Sequence, residues 1–201
     1  MQIANRFIAL LSLALFFTPA AAQDGLLTGN DLLQRLRQGG LVIYFRHART
    51  DWSERDAPRP DLNDCATQRN LSADGRAQAE RTGAAMKRLG VPVGRVVASP
   101  FCRTRQHAEL AFGRVELDPD LEQLAGWPDD VRAARTARLR ALLTTAPQAA
   151  NTVVIGYQAS LRAAAGVGLQ EGEAVIFEPN AAGPKPIGRA PSEAWDAMAP
   201  R

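Results

Sequence analysis

The stretch Leu41–Thr50, LVIYFRHART, constrains this chain more than any other. Its first five residues are all apolar and follow the pair Gly39-Gly40. A strand with one face in water alternates apolar and polar residues. An unbroken β-branched and aromatic run instead predicts a strand covered on both faces, as in a parallel sheet flanked by helices. Arg46 and His47 come directly after it. In open parallel sheets ligands sit just past the carboxyl ends of strands. A guanidinium and an imidazole at that point suggest an anion site with a nucleophile or base in it. For an isolated Arg-His pair the favoured reading is the plainer one, an arginine capping a strand end and a partly buried histidine, so other residues have to overturn it.

The rest of the chain alternates helical and extended segments. Asp31–Gln38 is predicted helical, capped by Asn30 and stopped by Gly39-Gly40. Residues 50–70 form a long polar loop. Ser72 caps a helix reaching Leu89, with Ala77, Ala84, Ala85 and Leu89 as a small-residue face. Arg95–Ala98 is a second strand. Ser99-Pro100 turns it into a helix over about residues 101–112, which places Arg103 in a first helical turn, where free N–H groups favour an anion. A short strand at 115–117, a loop containing Glu122, and a helix at 130–145 follow; Val131, Ala134, Leu139 and Leu142 are its buried candidates. Thr152–Gly156 is a further strand ending at Tyr157, and two late strands lie near 174–177 and 186–189. The pattern predicts an α/β fold with a mainly parallel sheet and helices on both faces.

The N-terminus points to export. Arg6 is the only charge in the first 22 residues, an eleven-residue run Phe7–Phe17 follows, and Ala20-Ala21-Ala22 suits cleavage after Ala22. Eleven residues are too few to span a bilayer. The expectation is a signal peptide over 1–22, one domain over 23–201, and a periplasmic or secreted protein without a membrane anchor after cleavage. Removing Arg6 takes the net charge from +3 to +2. The basic residues are nearly all arginine and are scattered among acids, which argues against nucleic acid and leaves guanidiniums free for phosphate. Cys65 and Cys102, an even pair in an exported chain, suggest a disulfide. Two cysteines without histidines at ligand spacing make a poor zinc site.

Four motifs occur in order: FRHART at 45–50, LSADGRAQAE at 71–80, ASPFCRTRQHA at 98–108 and TVVIGYQASLRAA at 152–164. Together they resemble the histidine phosphatase superfamily, with its phosphoglycerate mutase-like three-layer sandwich; the leader peptide suits an exported bacterial branch. The resemblance implies that His47 forms a phosphohistidine, that Arg46 and Arg103 bind phosphate, and that no metal or other cofactor takes part. The ligand is then a phosphorylated small molecule or phosphate itself. The family takes its general acid from the loop after the third strand. Glu122 and Asp118 are the candidates there, while a strict alignment puts Gln123 at the acid's position. Thr50, Arg69, Asn70 and Arg162 are candidates for secondary contacts, each with a structural role open to it as well. His107 stands where the family has threonine, and packing is its expected role.

Tyr157 is the main departure. It stands where the family has a second histidine that contacts the transferring phosphoryl group. A phenol can donate one hydrogen bond, but it is neutral and bulkier. Two readings follow: a phosphomonoesterase, weakened by Tyr157, or a pseudophosphatase that binds phosphate in a sensing or scaffolding role.

Overall fold

The computed structural model describes residues 25–198, so the proposed leader peptide lies outside the described residues. Its elements are α1 (Gly29–Arg37), β1 (Val42–Arg46), α2 (Ala73–Arg88), β2 (Val93–Ala98), α3 (Cys102–Phe112), β3 (Glu116–Leu117), α4 (Asp129–Thr144), β4 (Asn151–Gly156), α5 (Gln158–Ala165), β5 (Ala174–Glu178), β6 (Lys185–Ala190) and α6 (Ala194–Ala197). They build a six-stranded sheet in the order β3-β2-β4-β1-β5-β6. The first four strands in sequence run parallel, and β5 and β6 close one side as antiparallel strands.

The apolar run of β1 is buried on both faces, as its sequence requires. Ile43 and Phe45 face a core shared with Leu32, Leu33 and Leu36 of α1, Met86 of α2 and Trp195 of α6. Val42 and Tyr44 face the opposite core, built on Leu139, Leu142 and Leu143 of α4 and Leu161 of α5. Full burial of each such side chain stabilises by about 1.5–3 kcal/mol, so helices on both faces hold the strand in the centre. The result is the three-layer α/β sandwich expected.

Local differences from the sequence reading have physical causes. Helix α1 starts earlier, with Thr28 rather than Asn30 as N-cap and no side-chain bond there. In α2, Ser72 does cap, accepting from the Gly75 N–H. Its packed face, however, runs through Gly75, Gln78, Ala79, Thr82, Gly83, Ala85 and Met86, while Ala84 is exposed. A Cβ at Gly83 would lie 1.9 Å from the Ala111 carbonyl oxygen of α3, so glycine lets the two helices approach. In α4, Ala134 is exposed and Arg135 is buried in its stead, paired with Glu122.

Candidate functional site

Strand β4 is hydrogen-bonded between β2 and β1, so the carboxyl ends of all three lie side by side. His47 extends the ladder by one bond, its main-chain N–H donating to the Gly156 carbonyl at 3.0 Å. The His47 ring is buried, with Nδ1 2.9 Å from the Ala48 carbonyl oxygen. A carbonyl only accepts. Nδ1 therefore carries the proton of the neutral ring, and the lone pair sits on Nε2. Burial pushes the His47 pKa well below its ordinary value of 6.5; the carbonyl bond opposes this, and Arg103, Arg46 and Arg69 lower it further. The ring is thus neutral at neutral pH.

The loop that carries His47 is fixed from behind. The Ala48 N–H donates to Nδ1 of His107 at 3.1 Å. His107 is wholly buried, packs edge-on against Phe45, and burial lowers its pKa to about 4. The next residue is held by the LSADGRAQAE motif. Arg49 N–H donates to Gln78 Oε1 at 3.0 Å, and a Cβ at Gly75 would lie 1.9 Å from the Arg49 carbonyl oxygen. Glycine at 75 and glutamine at 78 are thus what lets α2 grip the histidine loop.

Three guanidiniums surround the ring. Arg46 donates to Gln158 Oε1 and the Leu169 carbonyl, both at 3.1 Å, and to Glu171 Oε1 at 3.3 Å. Arg103, 1% exposed, reaches both oxygens of Asp56 at 2.9 and 3.2 Å, the Arg69 carbonyl at 3.2 Å and Gln123 Oε1 at 3.3 Å. Arg69 stacks 4.2 Å from the Trp52 ring. The Nε atoms of Arg69 and Arg103 are buried without a hydrogen-bond partner. Buried guanidinium N–H groups are ordinarily paired, so two orphan donors beside one imidazole form a cluster short of anionic acceptors.

The loop over residues 51–70 brings Asp56 and Arg69 to this cluster. Cys65 and Cys102 form a disulfide with Cα atoms 5.7 Å apart, tying the loop to the first residue of α3. Gln68 Oε1 accepts from the Cys102 N–H at 2.8 Å, and the Asn70 amide donates to Glu54, the Cys65 carbonyl and the Gln68 carbonyl.

The order of these parts along the chain has a family match. Residues 42–127 fit the model of the histidine phosphatase superfamily, branch 1. The match spans less than half of the chain, so it marks a similarity to that family. Among solved structures it is similar to the protein histidine phosphatase SixA complexed with tungstate, with 16% identity, TM-score 0.55, and 76% of this chain and 97% of that one covered. It is also similar to a candidate alpha-ribazole-5′-P phosphatase from Escherichia coli K-12, with 16% identity, TM-score 0.57 and coverage of 77% and 98%. A mutant phosphoserine phosphatase from Entamoeba histolytica in complex with phosphoserine gives 13%, 0.55, 77% and 98%. These likenesses establish the phosphoglycerate mutase-like fold. No curated protein matches the chain.

Within this phosphoglycerate mutase-like fold, Arg46, His47, Arg103 and Tyr157 are brought together and Glu122 is not. The Tyr157 ring lies edge-on to His47, centroids 5.8 Å apart, with the Arg103 guanidinium 5.1 Å from its centre. Its hydroxyl bonds to Ser99 Oγ at 3.0 Å. The phenol pKa is raised by burial, against the opposing pull of Arg103 and of the Ser99 and Thr104 hydroxyls. Its place is set from below: Tyr44 donates to the Tyr157 carbonyl at 2.9 Å, across Gly156, where a Cβ would lie 2.4 Å from that hydroxyl.

The Glu122 carboxylate turns to Arg135 at 3.0 Å, away from His47, and Gln123 reaches Arg103 in its place. Of the two neighbouring side chains of this loop, the amide and not the carboxylate reaches the arginine cluster. Asp118 is likewise taken up by Arg138 at 2.8 Å. Thr50 donates to Glu171, Arg69 joins the cluster, Asn70 braces the loop, and Arg162 lies exposed on α5.

Two site carboxylates escaped the sequence reading. Asp56 is one of several acids in its loop, and Glu171 lies in an irregular segment before β5; neither has a periodic or motif signal. Glu171 Oε1 bridges Arg46 and the Thr50 hydroxyl at 3.3 and 3.0 Å.

Proposed function

We propose that the chain is an exported phosphomonoester hydrolase that works through a phosphohistidine at His47. The observation that carries this reading is a neutral imidazole with its lone pair on Nε2, set among three guanidiniums of which two keep a buried N–H unpaired. Phosphoryl transfer needs mainly positioning and positive charge around the equatorial oxygens. His47 Nε2 attacks phosphorus, the P–O ester bond breaks, and the leaving oxygen takes a proton. Water then attacks the phosphohistidine, releasing phosphate and regenerating the ring. Arg46, Arg69 and Arg103 neutralise the charge that builds on the phosphoryl oxygens. With Glu122 turned away, the proton reaches the leaving oxygen from solvent, which favours activated leaving groups. The ligand class is a phosphorylated small molecule or phosphate. The disulfide is consistent with an oxidising compartment, which supports removal of residues 1–22 and a periplasmic or secreted location.

A second reading, phosphate binding without turnover, is favoured by two observations: the Tyr157 hydroxyl is committed to Ser99, and an amide stands where an acid is expected. The test is hydrolysis of p-nitrophenyl phosphate by the mature protein beside His47→Ala and Arg103→Ala. Turnover lost by about 10³-fold or more in His47→Ala supports the hydrolase. No turnover together with phosphate binding leaves the second reading.

A further inference from the structure

Arg103 has five N–H donors, and four of them are used inside the protein. Asp56 takes one from each terminal nitrogen, at 2.9 and 3.2 Å, in the parallel fork that carboxylates and phosphates share. The Arg69 carbonyl and Gln123 take the next two. The fifth, on Nε, is buried and unpaired. The Arg103 side chain is 1% exposed and that of Asp56 22%, so the acid lies on the solvent side of the pair. It belongs to the loop, and the arginine to a helix anchored beneath the sheet end.

We propose that Asp56 is an internal competitor of the ligand: its carboxylate holds the terminal fork of Arg103, and a phosphoryl group enters by displacing it. This rests on the reading of the cluster as a phosphate site. Three features support it. The pairing is the geometry an arginine gives a phosphate. The acid can leave at the cost of one further contact, the Arg69 N–H it accepts at 2.9 Å, because its loop is otherwise fastened through Cys65–Cys102, Gln68 and Asn70. With Asp56 in place the three guanidiniums face two carboxylates, Asp56 and Glu171; with Asp56 displaced, a phosphate dianion meets all three with Glu171 alone opposing. Asp56 therefore sets the site's threshold: weakly bound or singly charged anions do not repay its displacement, whereas phosphomonoester dianions do. If the displaced state is about 1–10% populated without ligand, the apparent affinity for phosphate is about 10- to 100-fold below the intrinsic one.

The experiment is titration of inorganic phosphate by calorimetry into wild type, Asp56→Asn, Asp56→Ala and Arg103→Ala, with p-nitrophenyl phosphate turnover measured alongside. Asn keeps an oxygen able to accept the Arg69 N–H, as Asp56 does now at 2.9 Å, so this contact of the loop survives. The expected result is phosphate binding tightened about 10- to 100-fold in both Asp56 variants and lost in Arg103→Ala. Amide exchange around residues 54–57 in the wild type should rise when phosphate binds, the opposite of ordinary ligand protection. Equal or weaker binding in both variants, or exchange that falls, overturns the proposal. The underlying reading fails separately. Tighter binding without any turnover keeps Asp56 as competitor and removes the hydrolase; turnover that needs His47, without tighter binding, does the reverse. No phosphate binding in any protein overturns both.

Discussion

His107→Asn isolates what the histidine loop's support costs at acid pH. In the folded protein burial lowers the His107 pKa to about 4, against an ordinary 6.5. As pH falls below 6.5 the unfolded chain takes up a proton that the folded chain refuses until near pH 4. The stability lost in that window, by linkage, is about 2 kcal/mol at pH 5 and about 3 kcal/mol by pH 4. It is fully present above pH 6.5. His47, also lowered, adds in the same direction. Asparagine cannot protonate and its side-chain oxygen can accept the Ala48 N–H. Denaturant melts at pH 7.5 and 5.0 should show wild type losing about 2 kcal/mol more than His107→Asn across that interval. In thermal melts this is roughly 4–8 °C of extra midpoint loss. Taking the difference between the two proteins cancels the carboxylates, which titrate in both. Equal losses in wild type and variant would refute the claim that His107 is held neutral by burial.

Tyr157→His should raise p-nitrophenyl phosphate turnover by about 10-fold to 10³-fold, since an imidazole beside His47 adds a donor able to carry charge; the gain must vanish in a His47→Ala background, and no gain would mean the phenol already serves. Glu122→Gln should change kcat/KM by less than about threefold, because its carboxylate serves Arg135, whereas Glu171→Gln should lower it about tenfold by loosening Arg46 and Thr50, as steady-state kinetics would report. A larger effect from Glu122 than from Glu171 would reverse that assignment.

What could be read from the sequence was what local pattern encodes. The strand under His47 was legible because Ile43 and Phe45 serve one core while Val42 and Tyr44 serve the other, leaving no polar position in the run. The cysteine pair was legible because an even count in a chain expected to be exported leaves few alternatives. The packed face of α2 was not, because counting alanines overlooks glycine: at 75 and 83 the missing Cβ is what matters, since a neighbouring carbonyl occupies that space. The direction of Glu122 was not legible because a one-residue shift in a loop reverses which side chain points inward, and only the contact with Arg135 shows where its carboxylate lies. Asp56 and Glu171 meet their arginines across 47 and 125 residues of chain, separations at which no window of sequence carries a signal.

The disulfide does more than close a loop. Asp56 lies nine residues before Cys65, and Cys65 is bonded to the residue next to Arg103. A tether of that length keeps a freed carboxylate within about 15–18 Å of its anchor, at an effective concentration of millimolar or above. Any phosphate in solution competes with an acid that never diffuses away. Were the sulfurs reduced, the same acid would hang on a loop held only by hydrogen bonds, its local concentration would fall, and the arginine would become easier to occupy. The covalent link thereby sets the concentration scale on which this site can tell ligand from background.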